Sequence, residues 1–243
     1  MQHGSLEHYL MIALTAGLSV SLAWLGRKYQ HSKLPRNIAV IMAAWLIFNY
    51  IGYTIYRIHA GYWEPRYDLP LQFCDWAAGT TIVALLTRNR FAAELSYFWV
   101  MTGSIFGILT PDIDVSFPDI RFIMFFIGHI SLIVTSVFAV FGLRLYPRQG
   151  AVIRSFLFSQ VYIVLAFFIS LLVNGNYGYL IEKPAAGSPL DYLGEWPFYI
   201  INIEIIFFVL FWIAYSPFWI QNRKNQRYQK DDETKESAPL SLG

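Results

Sequence analysis

The sequence predicts an all-α protein, a polytopic membrane helical bundle of about seven transmembrane helices, each needing about 20 mostly apolar residues. Hydrophobic residues make up 56% of the 243 residues and charged residues only 14%, whereas the charged share of a soluble domain is about a quarter. The apolar residues also fall in long blocks separated by short polar connections. Finally, the Lys and Arg residues are concentrated in alternate connections, as is typical of cytoplasmic loops.

Each apolar block is bounded by a recognisable polar or turn-forming segment. The basic segment RKYQHSKLPR follows the first block, and Pro70 opens the third, where proline suits a first helical turn. RNR precedes the fourth block, TPDIDVSFPD the fifth, LYPRQG the sixth and the long segment NGNYGYLIEKPAAGSPLDYLG the seventh. The predicted spans cover residues 7–26, 37–56, 70–87, 91–109, 119–143, 151–174 and 196–218.

The basic residues predict the orientation of the bundle. Fourteen of the 18 Lys and Arg residues lie in the tail or in and directly beside the first, third and fifth connections, so these segments are expected in the cytoplasm. An odd number of spans then places the amino terminus outside and the carboxyl terminus in the cytoplasm. Residues 1–220 are expected to form a single bundle, and the polar residues 221–243 a disordered cytoplasmic tail.

Polar side chains from several predicted spans fall in the outer leaflet. Cys74 and Asp75 come early in the third span, His129 lies about ten residues into the fifth, and Glu204 lies at a similar depth in the seventh. Ionisable groups inside a bilayer usually face a bundle interior or a wet cavity, which predicts a cavity open to the outside or to the outer leaflet. The simpler interpretations are that Cys74 is a small apolar filler and that His129 only packs helices together.

The intramembrane carboxylates need partners. His129 is the expected partner of Glu204, and Arg57 or Arg66 is the expected partner of Asp75, because an unpaired buried charge is costly.

Several irregular motifs resemble a known family. They are LPLQFCD at 69–75, LLTRNR at 85–90, LTPD at 109–112, FFIGH at 125–129, NGNYGYL at 174–180, KPAAGSPLDYLGEWPFY at 183–199 and YSPF at 215–218. In these stretches the chain resembles the YwaF-type bacterial integral membrane proteins, which are related to a eukaryotic transmembrane acyltransferase acting on ether phospholipids. The resemblance implies a multi-pass protein of the bacterial inner membrane, with Cys74 as a nucleophile and His129 as its partner.

This resemblance suggests a specific chemistry. A thiolate attacks an ester carbonyl far better than a thiol does, so His129 is expected to act as the base. Glu204 is the expected third catalytic residue, which would orient His129, and Asn174, Asn176 or nearby backbone N–H groups are candidates for an oxyanion hole. The predicted substrate-binding residues are Asp75, Asn174, Asn176, Tyr177, Trp196 and Tyr199.

Two classes of function follow. The first is a cysteine-dependent acyltransferase or lipid-ester hydrolase that acts at the outer leaflet on an acyl-chain substrate. The alternative is a non-enzymatic transporter, receptor or lipid-binding protein that uses the same cavity, or a structural partner of a larger complex. The five histidines show no metal-ligand spacing, so neither a metal nor another cofactor is expected. Membrane lipids are the expected partners, no feature indicates nucleic-acid binding, and the oligomeric state is left open.

Overall fold

The computed structural model describes residues 5–111, 113, 115–184 and 189–236, and in these residues all regular structure is helical. Single-turn helices and short 3₁₀ turns at Tyr177–Tyr179 and Pro189–Leu193 lie between the longer helices. The helices are α1 Leu6–Lys28, α2 Leu34–His59, α3 Pro65–Asp68, α4 Phe73–Thr87, α5 Arg90–Trp99, α6 Phe106–Leu109, α7 Ile120–Val137, α8 Ala151–Val173 and α9 Phe198–Glu236.

Six helical segments among the described residues are long and apolar enough to cross a membrane. They match six of the predicted spans and are Leu6–Lys28, Leu34–His59, Arg90–Leu109, Ile120–Gly142, Ala151–Val173 and Phe198–Ile220. The remaining predicted span corresponds to α4, which is apolar but has only 15 residues. Its length of about 22 Å is less than the hydrocarbon thickness of about 30 Å. The helical membrane bundle is thus confirmed, while the count of seven crossings stays a prediction.

Local capping explains where several helices begin. Ser5 accepts a hydrogen bond from the backbone N–H of His8 at the start of α1, and Asn89 accepts one from Ala92 at the start of α5. The carboxylate of Asp119 does the same for the backbone N–H of Arg121 at the start of α7. Ser, Asn and Asp are preferred at these positions because their side chains satisfy the otherwise unpaired first N–H groups.

Helices α4, α5 and α7 form the centre of the bundle. The α1 helix packs against α7, α2 packs against α4 and α7, and α8 lies between α5 and α9. A buried chain of hydroxyl groups joins the three central helices, since Thr81 lies 2.6 Å from Ser96, which donates to Ser136 over 2.8 Å. Such side-chain hydrogen bonds stabilise helix packing where no water competes.

Two helices contain a π-helical segment, in which the turn is wider than in an α-helix. One segment, Val100–Ser104, follows α5, and the other, Phe138–Gly142, follows α7. Segments of this kind are frequent at functional sites. The first one lies directly before α6, so it determines which side chains of α6 face the bundle.

A buried carboxylate anchors the opposite end of α5. Glu94 is fully buried and accepts hydrogen bonds from Arg148, at 2.8 Å, and from Arg154, at 3.1 Å. Both arginines are predicted to lie on the cytoplasmic side, and both remain partly exposed.

The last helix is longer than the predicted span. It continues to Glu236, so the backbone of residues 221–236 is helical where the sequence predicts a disordered tail. This segment contains no Gly and no Pro and is rich in Gln, Lys, Arg and Glu, which are good helix formers. Residues 237–243 lie outside the described residues, and the division into a bundle and a tail stays a prediction.

Candidate active site

The thiol of Cys74 and the imidazole of His129 lie side by side. The distance from Cys74 Sγ to His129 Nε2 is 3.6 Å, and the other ring nitrogen, Nδ1, lies 2.9 Å from the carbonyl oxygen of Phe125. A carbonyl oxygen only accepts hydrogen bonds, so Nδ1 carries the hydrogen and donates it. In the neutral ring, Nε2 is therefore the unprotonated nitrogen, which is the one that can take a proton from the thiol.

The first turn of α4 positions Cys74. The carboxylate of Asp75 accepts a hydrogen bond from the backbone N–H of Gln72 over 3.0 Å. This contact closes the turn in which Cys74 is the second helical residue. The prediction that Arg57 or Arg66 pairs with Asp75 is wrong, because Arg57 pairs with Asp68 and Arg66 with Glu64. Those acidic residues are closer in sequence to the arginines.

Two neighbours hold the imidazole of His129. The ring of Phe125 packs against it with a centroid distance of 4.3 Å. On α6, Gly107 lies so close that a β-carbon there would be 2.2 Å from His129 Cδ2. A glycine at residue 107 is therefore required for the imidazole to occupy this place.

A serine hydroxyl completes the surroundings of the thiol. Ser104 is 1% exposed and its side chain lies near the sulfur of Cys74. Its hydroxyl has no hydrogen-bond partner of ordinary geometry among the described residues. A buried hydroxyl without a partner is costly, and the Ser104 hydroxyl remains available to the nearby sulfur of Cys74.

The predicted pair of Glu204 and His129 does not form in this structure. Glu204 accepts a hydrogen bond from the side-chain amide of Gln160 over 2.6 Å. His129 Nδ1 is hydrogen-bonded to the carbonyl oxygen of Phe125 instead of to Glu204. The expectation that Glu204 orients His129 is therefore wrong for this geometry. Gln160 lies ten residues into α8 and satisfies the carboxylate from the neighbouring helix.

Two cavities meet at the cysteine–histidine pair. The larger has a volume of about 560 Å³ and extends between α4, α8 and α9. The smaller has a volume of about 390 Å³ and lies on the side of α2. The residues that line both cavities are Cys74, Asp75, Phe125 and His129.

The larger cavity is lined mainly by aromatic and aliphatic side chains. They include Phe73, Phe106, Phe156, Ile163, Leu190, Ile200, Ile203, Phe207 and Phe211. Glu204 also lines this cavity, so the structure brings it to the same chamber as Cys74 and His129 without joining it to the imidazole.

Of the predicted substrate-binding residues, Asp75 and Tyr199 line the larger cavity. The others build the loop between α8 and α9. Asn174 caps α8 in the left-handed conformation, Asn176 accepts from the backbone N–H of residue 181, and the indole of Trp196 donates to the carbonyl of residue 180. The residues of this loop that line the larger cavity are instead Gly178, Tyr179, Leu180 and Leu190.

Tyr177 ties the same loop to the segment before α4. Its hydroxyl donates to the carbonyl of Pro65 over 2.5 Å and accepts from the backbone N–H of Leu69 over 2.9 Å. Burial raises the pKa of this phenol, so the hydroxyl keeps the hydrogen that it donates.

Several residues of the site are not predictable from the sequence or were not among the predicted ones. Ser104 and Gly107 are small residues inside an apolar block, and a single sequence gives no signal that would distinguish them. Gln160 could have been noticed, because an amide in the middle of a predicted span needs a partner. Among the described residues, no group of three or more His, Cys, Asp or Glu side chains is arranged to hold a metal ion.

Long apolar helices that enclose a cysteine–histidine pair beside two cavities define a multi-pass membrane protein with a candidate thiol active site. The chain belongs to the TMEM164 family, whose sequence model matches residues 3–215. No match was found among curated proteins or among solved structures.

Proposed function

We propose that this chain is a cysteine-dependent acyltransferase or lipid-ester hydrolase of the membrane, with Cys74 as the nucleophile and His129 as the base. The observation that carries the proposal is the 3.6 Å contact between Cys74 Sγ and His129 Nε2 in the wall of a large apolar cavity. A cysteine that only fills space needs no imidazole nitrogen directed at its sulfur.

The proposed reaction has two steps. First, His129 Nε2 takes the thiol proton, and the thiolate attacks the ester carbonyl so that a carbon–sulfur bond forms. The ester carbon–oxygen bond then breaks, and the departing alkoxide takes the proton from the imidazolium and leaves as an alcohol. In the second step an alcohol or a water molecule gives its proton to His129 and attacks the thioester, which releases the thiolate.

The cavity supports a lipid as the substrate. Its wall consists largely of phenylalanine and aliphatic side chains, mostly from helices that are long and apolar enough to span a bilayer. Such a wall is as apolar as the lipid tails, so an acyl chain can enter the cavity without leaving an apolar environment. The resemblance of the sequence motifs to those of the YwaF-type proteins supports the same chemistry.

The location of the reaction follows from the predicted orientation. We extend the proposal to seven crossings of a bacterial inner membrane, with the amino terminus outside and the carboxyl terminus in the cytoplasm. Cys74 lies in the first turn of α4, which is expected to enter the membrane from outside. The ester would then react near the headgroups of the outer leaflet.

The test uses the purified full-length protein and its variants Cys74→Ala, Cys74→Ser and His129→Gln. Alkylation by N-dodecyl chloroacetamide is measured by mass spectrometry, and ester turnover is measured with p-nitrophenyl laurate. All three variants are expected to lose turnover by about 10³-fold or more, as removal of a nucleophile or its base does. Both cysteine variants should also lose alkylation.

The matched control is Thr80→Ala in the same helix, because the Thr80 hydroxyl only binds the carbonyl of Ala77 and lines neither cavity. This variant should keep the wild-type rates. Turnover that survives in Cys74→Ala would overturn the proposal and favour the transporter, receptor or lipid-binding protein.

A further inference from the structure

The reactive pair stands in a wall shared by two chambers. Cys74 and His129 line both the larger cavity of about 560 Å³ and the smaller cavity of about 390 Å³. The smaller chamber is bounded by α2, α4 and α7, whereas the larger one lies toward α8 and α9. Two molecules, or two parts of one molecule, can therefore reach the same sulfur from different sides.

Three hydroxyl groups that line the larger chamber are already hydrogen-bonded within the protein. The hydroxyl of Tyr162 donates to the carbonyl of Leu71 over 3.1 Å, and the hydroxyl of Tyr199 donates to a backbone carbonyl over 2.5 Å. Ser159 accepts from the indole of Trp99 and donates to a backbone carbonyl of its own helix. These hydroxyl groups are already used within the protein, so the chamber suits an acyl chain.

The smaller chamber offers a polar group that is still available. Asn49 lines it beside Gly128, where a β-carbon would lie 3.5 Å from Asn49 Oδ1, and Gly128 immediately precedes His129. The Asn49 amide makes no hydrogen bond to any other residue in the part of the chain that the structure describes. An amide can both donate to and accept from an alcohol.

We infer that the smaller chamber binds the alcohol of the reaction and that Asn49 positions the hydroxyl of an acceptor alcohol, so that the enzyme transfers acyl groups in preference to hydrolysing them. This inference rests on the proposed function. The leaving alcohol of the first step and the attacking alcohol of the second stand in the same relation to the carbonyl carbon, so one chamber serves both. The acyl chain stays in the larger chamber throughout.

The transfer step balances within the residues already described. The acceptor hydroxyl gives its proton to His129 Nε2, and its oxygen forms a bond to the thioester carbonyl carbon. The carbon–sulfur bond breaks, and Cys74 leaves as a thiolate that recovers the proton from the imidazolium. The product is a new ester, and neither an oxidant nor a further reactant is needed.

The experiment separates formation of the acyl-enzyme from its use. Full-length protein in detergent is mixed with p-nitrophenyl laurate as the acyl donor and 1-oleoylglycerol as the acceptor alcohol. The initial burst of p-nitrophenol reports acylation of Cys74, and mass spectrometry measures free laurate and the mixed diacylglycerol. The ratio of diacylglycerol to laurate is the partition between transfer and hydrolysis.

Asn49→Ala and Asn49→Leu are expected to lower this ratio about tenfold, the effect of losing one hydrogen bond to the acceptor. The rate of the burst should be preserved, because p-nitrophenolate leaves without help from a hydrogen bond. Both variants lack the amide, and they differ in the volume of the side chain, so an effect common to both reports loss of the amide. The matched control Asn202→Leu should leave the burst and the ratio unchanged, since the Asn202 amide binds the carbonyl of Leu193 and lines neither cavity.

A wild-type ratio in both Asn49 variants would overturn the inference. So would a burst that falls in parallel with transfer, because Asn49 would then act on the acyl-enzyme itself. Failure of the proposed function has a different signature: the wild-type protein gives no burst and no acyl group on Cys74. A variant of the larger cavity, Ile203→Trp, should lower the burst and both products together without changing their ratio.

Discussion

Gly107 and His129 are packed so closely that a β-carbon on residue 107 would lie 2.2 Å from Cδ2 and 2.5 Å from Nε2 of the imidazole. Real side-chain atoms do not approach to such distances, so any larger residue in α6 would force the ring to move. The same ring also faces the sulfur of Cys74 at 3.6 Å. The position of α6 therefore restricts the position of the His129 imidazole relative to the Cys74 sulfur.

Gly107→Ala is expected to slow alkylation of Cys74 by N-dodecyl chloroacetamide, and ester turnover, by about 10²-fold, because a displacement of about 1 Å in reacting groups has effects of that size. The matched control is Gly79→Ala in α4, where a β-carbon would meet nothing within 4 Å. Equal rates in the two variants, with both proteins folded, would contradict the role given to Gly107.

Ser104→Ala should lower the rate of Cys74 alkylation about tenfold, because one hydrogen bond to the developing thiolate is lost. Ser155→Ala is the matched control, since Ser155 is equally buried and its hydroxyl likewise has no partner among the described residues. Its rate should match the wild-type rate. A similar loss in both variants would mean that the effect is one of packing.

Glu204→Gln distinguishes the observed arrangement from the triad that the sequence suggested. Loss of a carboxylate that orients a catalytic histidine lowers kcat by about 10⁴-fold. In the structure Glu204 binds Gln160 and the Phe125 carbonyl faces the imidazole, so the expected decrease in kcat for p-nitrophenyl laurate is less than about tenfold. A loss near the larger value would show that Glu204 reaches His129 during the reaction.

The ion cluster around Glu94 is expected to stabilise the fold without taking part in the chemistry. Replacing both Arg148 and Arg154 with Ala leaves a fully buried carboxylate without its charged partners, which should lower the free energy of unfolding by about 3–5 kcal/mol. Glu94→Gln should cost less, because it removes the buried charge and leaves the arginines partly in water. The melting temperature in detergent measures both effects, and the opposite order would contradict the account.

Most of the helices could be predicted from the sequence because each is a block of apolar residues of membrane-spanning length. The fourth span shows what this pattern does not predict. The apolar block predicts one regular helix over residues 91–109. In the structure it contains the π-helical segment Val100–Ser104 and a short α6. No proline marks that change, and the small residues Thr102, Gly103 and Ser104 in the segment leave the apolar block uninterrupted, so the hydrophobic pattern alone could not reveal it.

The site was predictable only in part. Cys74 and His129 could be selected by residue type and resemblance, but the helical rise placed them at different depths, and only the packing of α4 against α7 brings them together. The predicted pairing of Glu204 with His129 is wrong because the side-chain amide of Gln160, on α8, donates a hydrogen bond to the Glu204 carboxylate. Depth along a helix gives no information about which neighbouring helix supplies a partner.

The π-helical segment Val100–Ser104 makes the site sensitive to the number of residues as well as to their identity. Each residue of an α-helix turns the chain by about 100°, and the wide turn accommodates one residue more than an α-helical turn does. Trp99 before it can thus face Ser159 of α8, while Gly107 after it faces His129. A deletion of one residue in this stretch would rotate α6 away from the imidazole while leaving every catalytic side chain in the sequence.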